Sequence, residues 1–448
     1  MKTPRRAAEP KAPADPSTDL ARRVRDPGFT PSVKRIRDLF DLIGHDDEDL
    51  AKNAERAILR IESQYAADVA KACVERARAA ERPGRGRLTA LAGRLAQERR
   101  DPDGAARGWL FEALEDADPK TRRAAARGLG KLPPKADAEE ALGRAYDAAS
   151  SDDDRRVFAL ALGKMGGEAA RARLAGTTHG RARVIVDREL ARKTPGTIDP
   201  TRSLARSVPI HFHTRSGLED VLREELGRQF GIPRFVAPGI VKAELTGALS
   251  EALRIRTALS VGFPLPPIDA SDDLATDVVR ALGEASALDL LRAFTSVTGG
   301  APIRFRLEFT RGGHRRSTVW RIAELVRAQI PELVNDPKTS TWEVAVDDAA
   351  GKVKIELVPR AFADDRFVYR EALVAASSHP AIAAALARVA PRSDDDVVWD
   401  PFVGAGAELV ERARLGKYAR LVGTDIDPRA VSAARANLER AGLAEHAS

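Results

Sequence analysis

"VVWDPFVGAGAEL", residues 397–409, decides how this chain is read. Val397, Val398 and Trp399 form an apolar run suited to a strand covered on both faces, and the run ends at Asp400. Gly404 and Gly406 follow, where a backbone can turn tightly and approach a ligand closely. From Ala407 the pattern turns helical through "ELVERARLG". A second strand within "RLVGTDIDP" ends at Asp425, and Asp427-Pro428 caps a second helix. Strand, helix, strand, helix predicts the start of a Rossmann-like, doubly wound α/β sheet within residues 376–448.

The residue types point to a nucleoside cofactor. A carboxylate at the end of the second strand, Asp425, can accept both hydroxyls of a ribose. A dinucleotide fold asks for G-x-G-x-x-G, but the third position here is Leu409. Asp-Pro-Phe before the turn also sets the Asp400 carboxylate where a pyrophosphate would sit. That placement suits the cationic end of S-adenosylmethionine and repels NAD.

"WDPFVGAGAELVERA" with "GTDIDPRAVSAARANLERAG" resembles the D-P-F-C-G-S-G-T…E-A and D-x-D-P-x-A…A-x-x-N motifs of THUMP-type RNA methyltransferases. These are similar to the large-subunit rRNA guanine-N2 methyltransferases. The resemblance extends over roughly residues 208–448, through "TRSGLEDVLREEL", "FRLEFTRGGHRRST" and "HPAIAAALARVA". It implies that Asp400, Phe402, Gly404, Gly406 and Asp425 contact S-adenosylmethionine. It also implies an RNA substrate, rRNA or tRNA, methylated on the exocyclic amine of a purine. Val403, Ala405 and Ala407 stand where the family has Cys, Ser and Thr; all are small, so the turn survives without their polar contacts.

The family's Asn/Asp-Pro-Pro-aromatic motif, which holds the protons of the target amine, occurs nowhere in the chain. The chain is therefore expected to be the N-terminal portion of such an enzyme, inactive by itself, with the motif in a continuation beyond Ser448. Two other readings stay open: a non-catalytic RNA-binding module, and an interaction scaffold built on helical repeats.

Upstream, Ile303, Phe305, Leu307 and Phe309 alternate with Arg304, Arg306, Glu308 and Thr310, a strand with one covered face. The loop after it delivers Arg311, His314, Arg315 and Arg316 beside glycines, a composition suited to phosphates or to a solvated turn. The resemblance makes these four the RNA-binding candidates. An α+β unit is expected over residues 205–275 and a THUMP-like RNA-binding unit over 276–375. His211 and His213 alternate on one strand, but with no third ligand apparent they read as ordinary polar positions, and no metal is expected.

Residues 41–195 are helical and repetitive. "TRRAAARGLGKL" from Thr121 aligns with "DRRVFALALGKM" from Asp154 at an offset of 33, and "LAGRL" from Leu91 is a weaker copy. The residues resemble HEAT repeats, an α-solenoid whose long surface takes a protein or RNA partner. Residues 192–209, rich in Pro, Gly and Thr, read as a linker, and residues 1–40 as a disordered tail.

Composition sets wide bounds. The 448 residues allow about three domains, and 43% hydrophobic residues suffice for packed cores. Net charge of +7 leans toward an anionic partner without requiring one. The one cysteine, Cys73, rules out an intrachain disulfide. With neither a signal-peptide pattern nor an apolar run of about 18 residues, a cytoplasmic location is expected.

Overall fold

The computed structural model describes residues 16–446 apart from 62, 98–99, 195, 228, 298–299, 313–314 and 376. It divides into two compact units, Met1–Leu190 and Ala191–Ser448. No helix among the described residues is long and apolar enough to cross a membrane.

The described residues of the first unit form helices and no strand: α1 (Pro16–Arg23), α2 (Ile36–Ile43), α3 (Glu48–Ile58), α4 (Ala66–Ala79), α5 (Gly84–Leu95), α6 (Ala105–Glu112), α7 (Pro119–Leu129), α8 (Ala136–Asp147), α9 (Asp152–Met165), α10 (Glu168–Leu174) and α11 (Gly180–Ala191). The tail expected over residues 1–40 is already helical at Pro16, because Leu20 and Val24 supply apolar surface that the core with Leu39 and Phe40 buries. Residues 1–15 lie outside the described residues. Helix starts follow from caps: Asp118 accepts from the Thr121 amide at 3.1 Å ahead of Pro119, and Ser151 from the Asp154 amide at 3.2 Å.

The recurrent small residues have a packing reason. A Cβ on Gly93 of α5 would lie 2.7 Å from the Gly128 Cα of α7, and one on Gly130 would lie 3.0 Å from the Ala161 Cα of α9. Successive helices approach so closely that the facing positions have no room for larger side chains. The aligned helix starts are joined by charge as well, with Arg122 and Arg123 both holding the buried Asp154 at 2.5 and 2.9 Å. Cys73 is buried among these helices, and burial pushes its thiol far above the usual range.

The second unit contains the strands β1 (Thr197–Ile198), β2 (Val208–His213), β3 (Arg234–Ala237), β4 (Ile240–Leu245), β5 (Ser260–Pro264), β6 (Ile268–Asp269), β7 (Thr295–Ser296), β8 (Ile303–Phe309), β9 (Leu333–Asn335), β10 (Trp342–Asp347), β11 (Lys352–Pro359), β12 (Val397–Asp400) and β13 (Arg420–Gly423). Its helices are α12 (Glu219–Gly227), α13 (Leu249–Leu253), α14 (Leu274–Gly283), α15 (Ala285–Phe294), α16 (Arg316–Gln329), α17 (Pro380–Val389), α18 (Ala407–Ala413) and α19 (Pro428–Arg440).

A nine-stranded sheet runs in the order β3-β4-β2-β5-β11-β10-β8-β9, with β6 added on β11. β8 is parallel to β9 and β10, and the other neighbours are antiparallel. Strand alternation decides its two sides. Ile210, Phe212, Val241, Val344 and Ile355 join a core with Leu222 of α12, Val278 of α14 and Ile322 of α16. The alternate residues leave a polar side, where Arg306 is paired with Glu343.

The boundary expected near residue 275 falls inside this sheet, since β5 is hydrogen-bonded to β11 through the Phe263–Leu357 and Pro264–Glu356 pairs. The 205–275 and 276–375 stretches are halves of one layer because β5 reaches its second partner only across the later half. The expected linker is also tied down: Arg192 holds the buried Asp336 at 2.6 Å, and β1 pairs with β7.

Candidate functional site

β12 and β13 lie side by side and parallel, in register from Val397–Arg420 to Asp400–Gly423. Both strands end at the same level, so residues 401–406 and 424–427 emerge together at their carboxyl ends, where open α/β sheets bind ligands. The exits are laced: the Thr424 amide donates to the Asp400 carbonyl and the Val403 amide to the Thr424 carbonyl, both at 2.9 Å. Gly404 and Gly406 take φ of +50° and +78°, a conformation that strains other residues. Val403 is buried against Gly423 and Leu409 and anchors the turn in the small core.

The two carboxylates flank this turn and do different work. Asp425 is tied in, its Oδ2 accepting from the Gly404 amide and its Oδ1 from the Asp427 amide, both at 3.0 Å. Those amides hold its carboxyl below the usual range. Asp400 accepts from the Phe402 amide at 3.0 Å, yet burial, with Glu408 and Asp425 nearby, raises its carboxyl. The turn therefore sits in a negative field with one committed and one cation-seeking carboxylate.

Around the site the surface is apolar and open. Phe402 is 84% exposed, Trp399 63% and Ile426 99%. A groove of about 440 Å³ runs along β12, lined by Leu386, Trp399, Asp400 and Glu408 among others. All five sequence-predicted cofactor residues thus converge on one turn at the carboxyl ends of adjacent strands.

Sequence reading missed what supports the turn. Asn437 of α19 is fully buried, its Nδ2 donating at 2.8 Å to the carbonyls of Ala372 and Ala405. Its Oδ1 accepts from the amides of Glu371 and Ala372 at 3.1 and 2.9 Å. It straps the entry segment onto the glycine turn; the only signal was its place in A-x-x-N. Glu411 of α18 has a fully buried side chain held by Arg256 at 2.6 and 2.7 Å and by the Tyr369 hydroxyl at 2.9 Å. Arg388 of α17 reaches Glu225 of α12 at 2.6 Å, and Glu225 also accepts from the Arg256 and Thr257 amides. These buried charges fasten the strand–helix repeat to the nine-stranded layer.

The basic loop is less free than its composition suggested. Arg315 is bound to Asp348 at 2.5 Å and lies over the Phe309 ring, so its guanidinium holds the loop. Arg311 is mostly exposed and pairs with Asp347 at 3.6 Å, and Arg316 is exposed at the start of α16. His314 lies outside the described residues. His211 and His213 do have a third group beside them, Glu356 of β11, too distant in sequence for any spacing rule to link.

Comparisons with known proteins follow this division. Residues 368–448 match the family described as RMKL-like, methyltransferase domain, and residues 94–188 match HEAT repeats. No curated protein matches the chain. Similar solved structures include a predicted N6-adenine-specific DNA methylase from Listeria monocytogenes, 17% identical, covering 56% of this chain and 77% of that one with a TM-score of 0.42. TrmN from Thermus thermophilus is 24% identical over 53% of this chain and 71% of its own, also at 0.42. SMU.472 complexed with SAH is 15% identical over 55% and 75%, again at 0.42. The chain thus joins a HEAT-like helical region to a region similar to an RMKL-like methyltransferase domain.

Proposed function

We propose that the chain serves S-adenosylmethionine-dependent methylation of RNA, rRNA or tRNA, on the exocyclic amine of a purine, with residues 368–448 holding the cofactor. The observation that carries this is the pair of carboxylates, Asp400 and Asp425, flanking a positive-φ glycine turn at the ends of adjacent parallel strands. Bound S-adenosylmethionine supplies an electrophilic methyl group on a cationic sulfur. Asp425, its carboxylate fixed by two amides, retains lone pairs for the ribose hydroxyls. Asp400 offers negative charge to the cationic end, and the exposed Phe402 ring offers a stacking face. The residues present bind and orient; no Asn/Asp-Pro-Pro-aromatic tetrapeptide is among them to hold the amine.

Calorimetric titration of the full chain tests the cofactor. S-adenosylmethionine is expected to bind, NADH is not, and Asp425→Ala and Asp400→Asn should each weaken binding roughly tenfold, the loss of about one charge-assisted contact. A folded chain that takes no S-adenosylmethionine, or variants that bind it as tightly as the parent, overturns the reading. The RNA half rests on Arg311 and Arg316. Filter binding with rRNA and tRNA transcripts should show Arg311→Ala/Arg316→Ala weakened, with a salt slope smaller by about 2. An unchanged slope removes the loop from the interface.

A further inference from the structure

His211 and His213 stand two residues apart on β2, both on the polar side of the sheet, while Val208, Ile210 and Phe212 fill the core. Between β2 and β11 runs β5, and the β5 residue opposite His211 is Gly262. Glu356 of β11 reaches over that glycine. Its Oε2 lies 3.3 Å from His211 Nδ1 and its Oε1 2.5 Å from His213 Nε2. The three donor atoms all fall within 4.8 Å of one another.

Gly262 is what permits the crossing. A Cβ there would collide with the Glu356 carboxylate and come within 2.7 Å of its Cγ. Glycine inside a strand weakens it and marks a place where another group must pass close by. The cluster is mostly covered, with side-chain exposures of 14%, 27% and 16% for His211, His213 and Glu356. Nearby cations are Lys242, opposite His211 and 3.9 Å from Glu244, and Lys354, two residues from Glu356 on the same strand.

Two imidazole nitrogens and one carboxylate oxygen are a donor set for zinc and related ions, and three protein ligands leave a fourth position for water. We propose that His211, His213 and Glu356 form a binding site for a divalent transition-metal ion, with Gly262 opening the space that brings the ligand of β11 to those of β2. The ion clamps two strands across a third and stabilises the sheet independently of the cofactor site.

The test is a metal titration of the tag-free full chain after chelation. One cobalt(II) per chain is expected, with a visible d–d absorption displaced by zinc, and zinc should raise the thermal midpoint. His213→Asn and Glu356→Gln should each weaken cobalt binding by roughly tenfold or more. Because either variant could unfold the sheet, X-ray absorption of the zinc-loaded parent is the second measurement, with two imidazoles expected in the first shell. No stoichiometric binding overturns the proposal and leaves Glu356 as a carboxylate bridging two histidines. Binding unaltered in both variants, or a spectrum without imidazole scattering, overturns it equally.

Discussion

Replacing Asn437 with alanine should loosen the cofactor turn without touching any residue proposed to contact ligand. Four hydrogen bonds at 2.8–3.1 Å would be lost, two made by Nδ2 and two by Oδ1. At about 1 kcal/mol net each, and with some freed backbone groups regaining water, the loss is about 2–4 kcal/mol. Since 1.4 kcal/mol is about a factor of ten, local opening should become roughly 30- to 1,000-fold more frequent. Hydrogen–deuterium exchange read by mass spectrometry would show this as faster exchange confined to residues 368–374 and 401–410. S-adenosylmethionine affinity should fall in parallel. Unchanged exchange in those two segments, beside a general loss of stability, would refute the strap and make Asn437 an ordinary packing residue.

Arg256→Met leaves the buried Glu411 charge without its partner and should cost about 3–5 kcal/mol, seen as a lower thermal midpoint. Arg256→Met/Glu411→Met should recover most of that loss, and no recovery would refute the charge argument. Gly93→Val drives a side chain into the Gly128 backbone and should destabilise the helical unit by about 1–3 kcal/mol, read from the urea midpoint of the helical signal. Burial alone would raise the Asp336 carboxyl, yet Arg192 and Thr339 hold it at about 2. With the folded value below the unfolded value of about 3.9, the pair's stabilisation, about 2 kcal/mol, is present above about pH 4 and lost as pH falls toward 2. Asp336→Asn should flatten that acid limb of the stability profile, and an unaltered limb would assign it to other carboxylates.

What could be read in advance was local. "VVW", the two glycines and "RLVGTD" fix a strand, a turn and a second strand within 29 positions, and β12, α18 and β13 follow that pattern. The helical repeats were legible because the same small residues must recur wherever neighbouring helices touch. Alternation in β8 showed that one side is covered but not which strand lies alongside. Hence the pairing of β5 with β11, and with it the unity of the sheet, went unread. Charge misled for a related reason. Arg315 looks free for phosphate in sequence, while its partner Asp348 arrives from the end of another strand. Glu411 and Glu356 carry no distinguishing spacing, and Asn437 none beyond its place in A-x-x-N, since a buried polar residue is recognised only by the groups that surround it.

The β5–β11 pairing has a consequence during synthesis. When β2, β4 and β5 have left the ribosome, the outer side of β5 has no neighbour until β11 follows, some ninety residues later. At about 5–20 residues per second, that side stays open for roughly 5–20 s, a long interval for an apolar strand in a crowded cell. Pro264, at the end of β5, has no amide hydrogen to offer a stray strand there. Nascent chains halted between residues 265 and 350 should therefore be the ones that chaperones hold and that aggregate when chaperones are scarce.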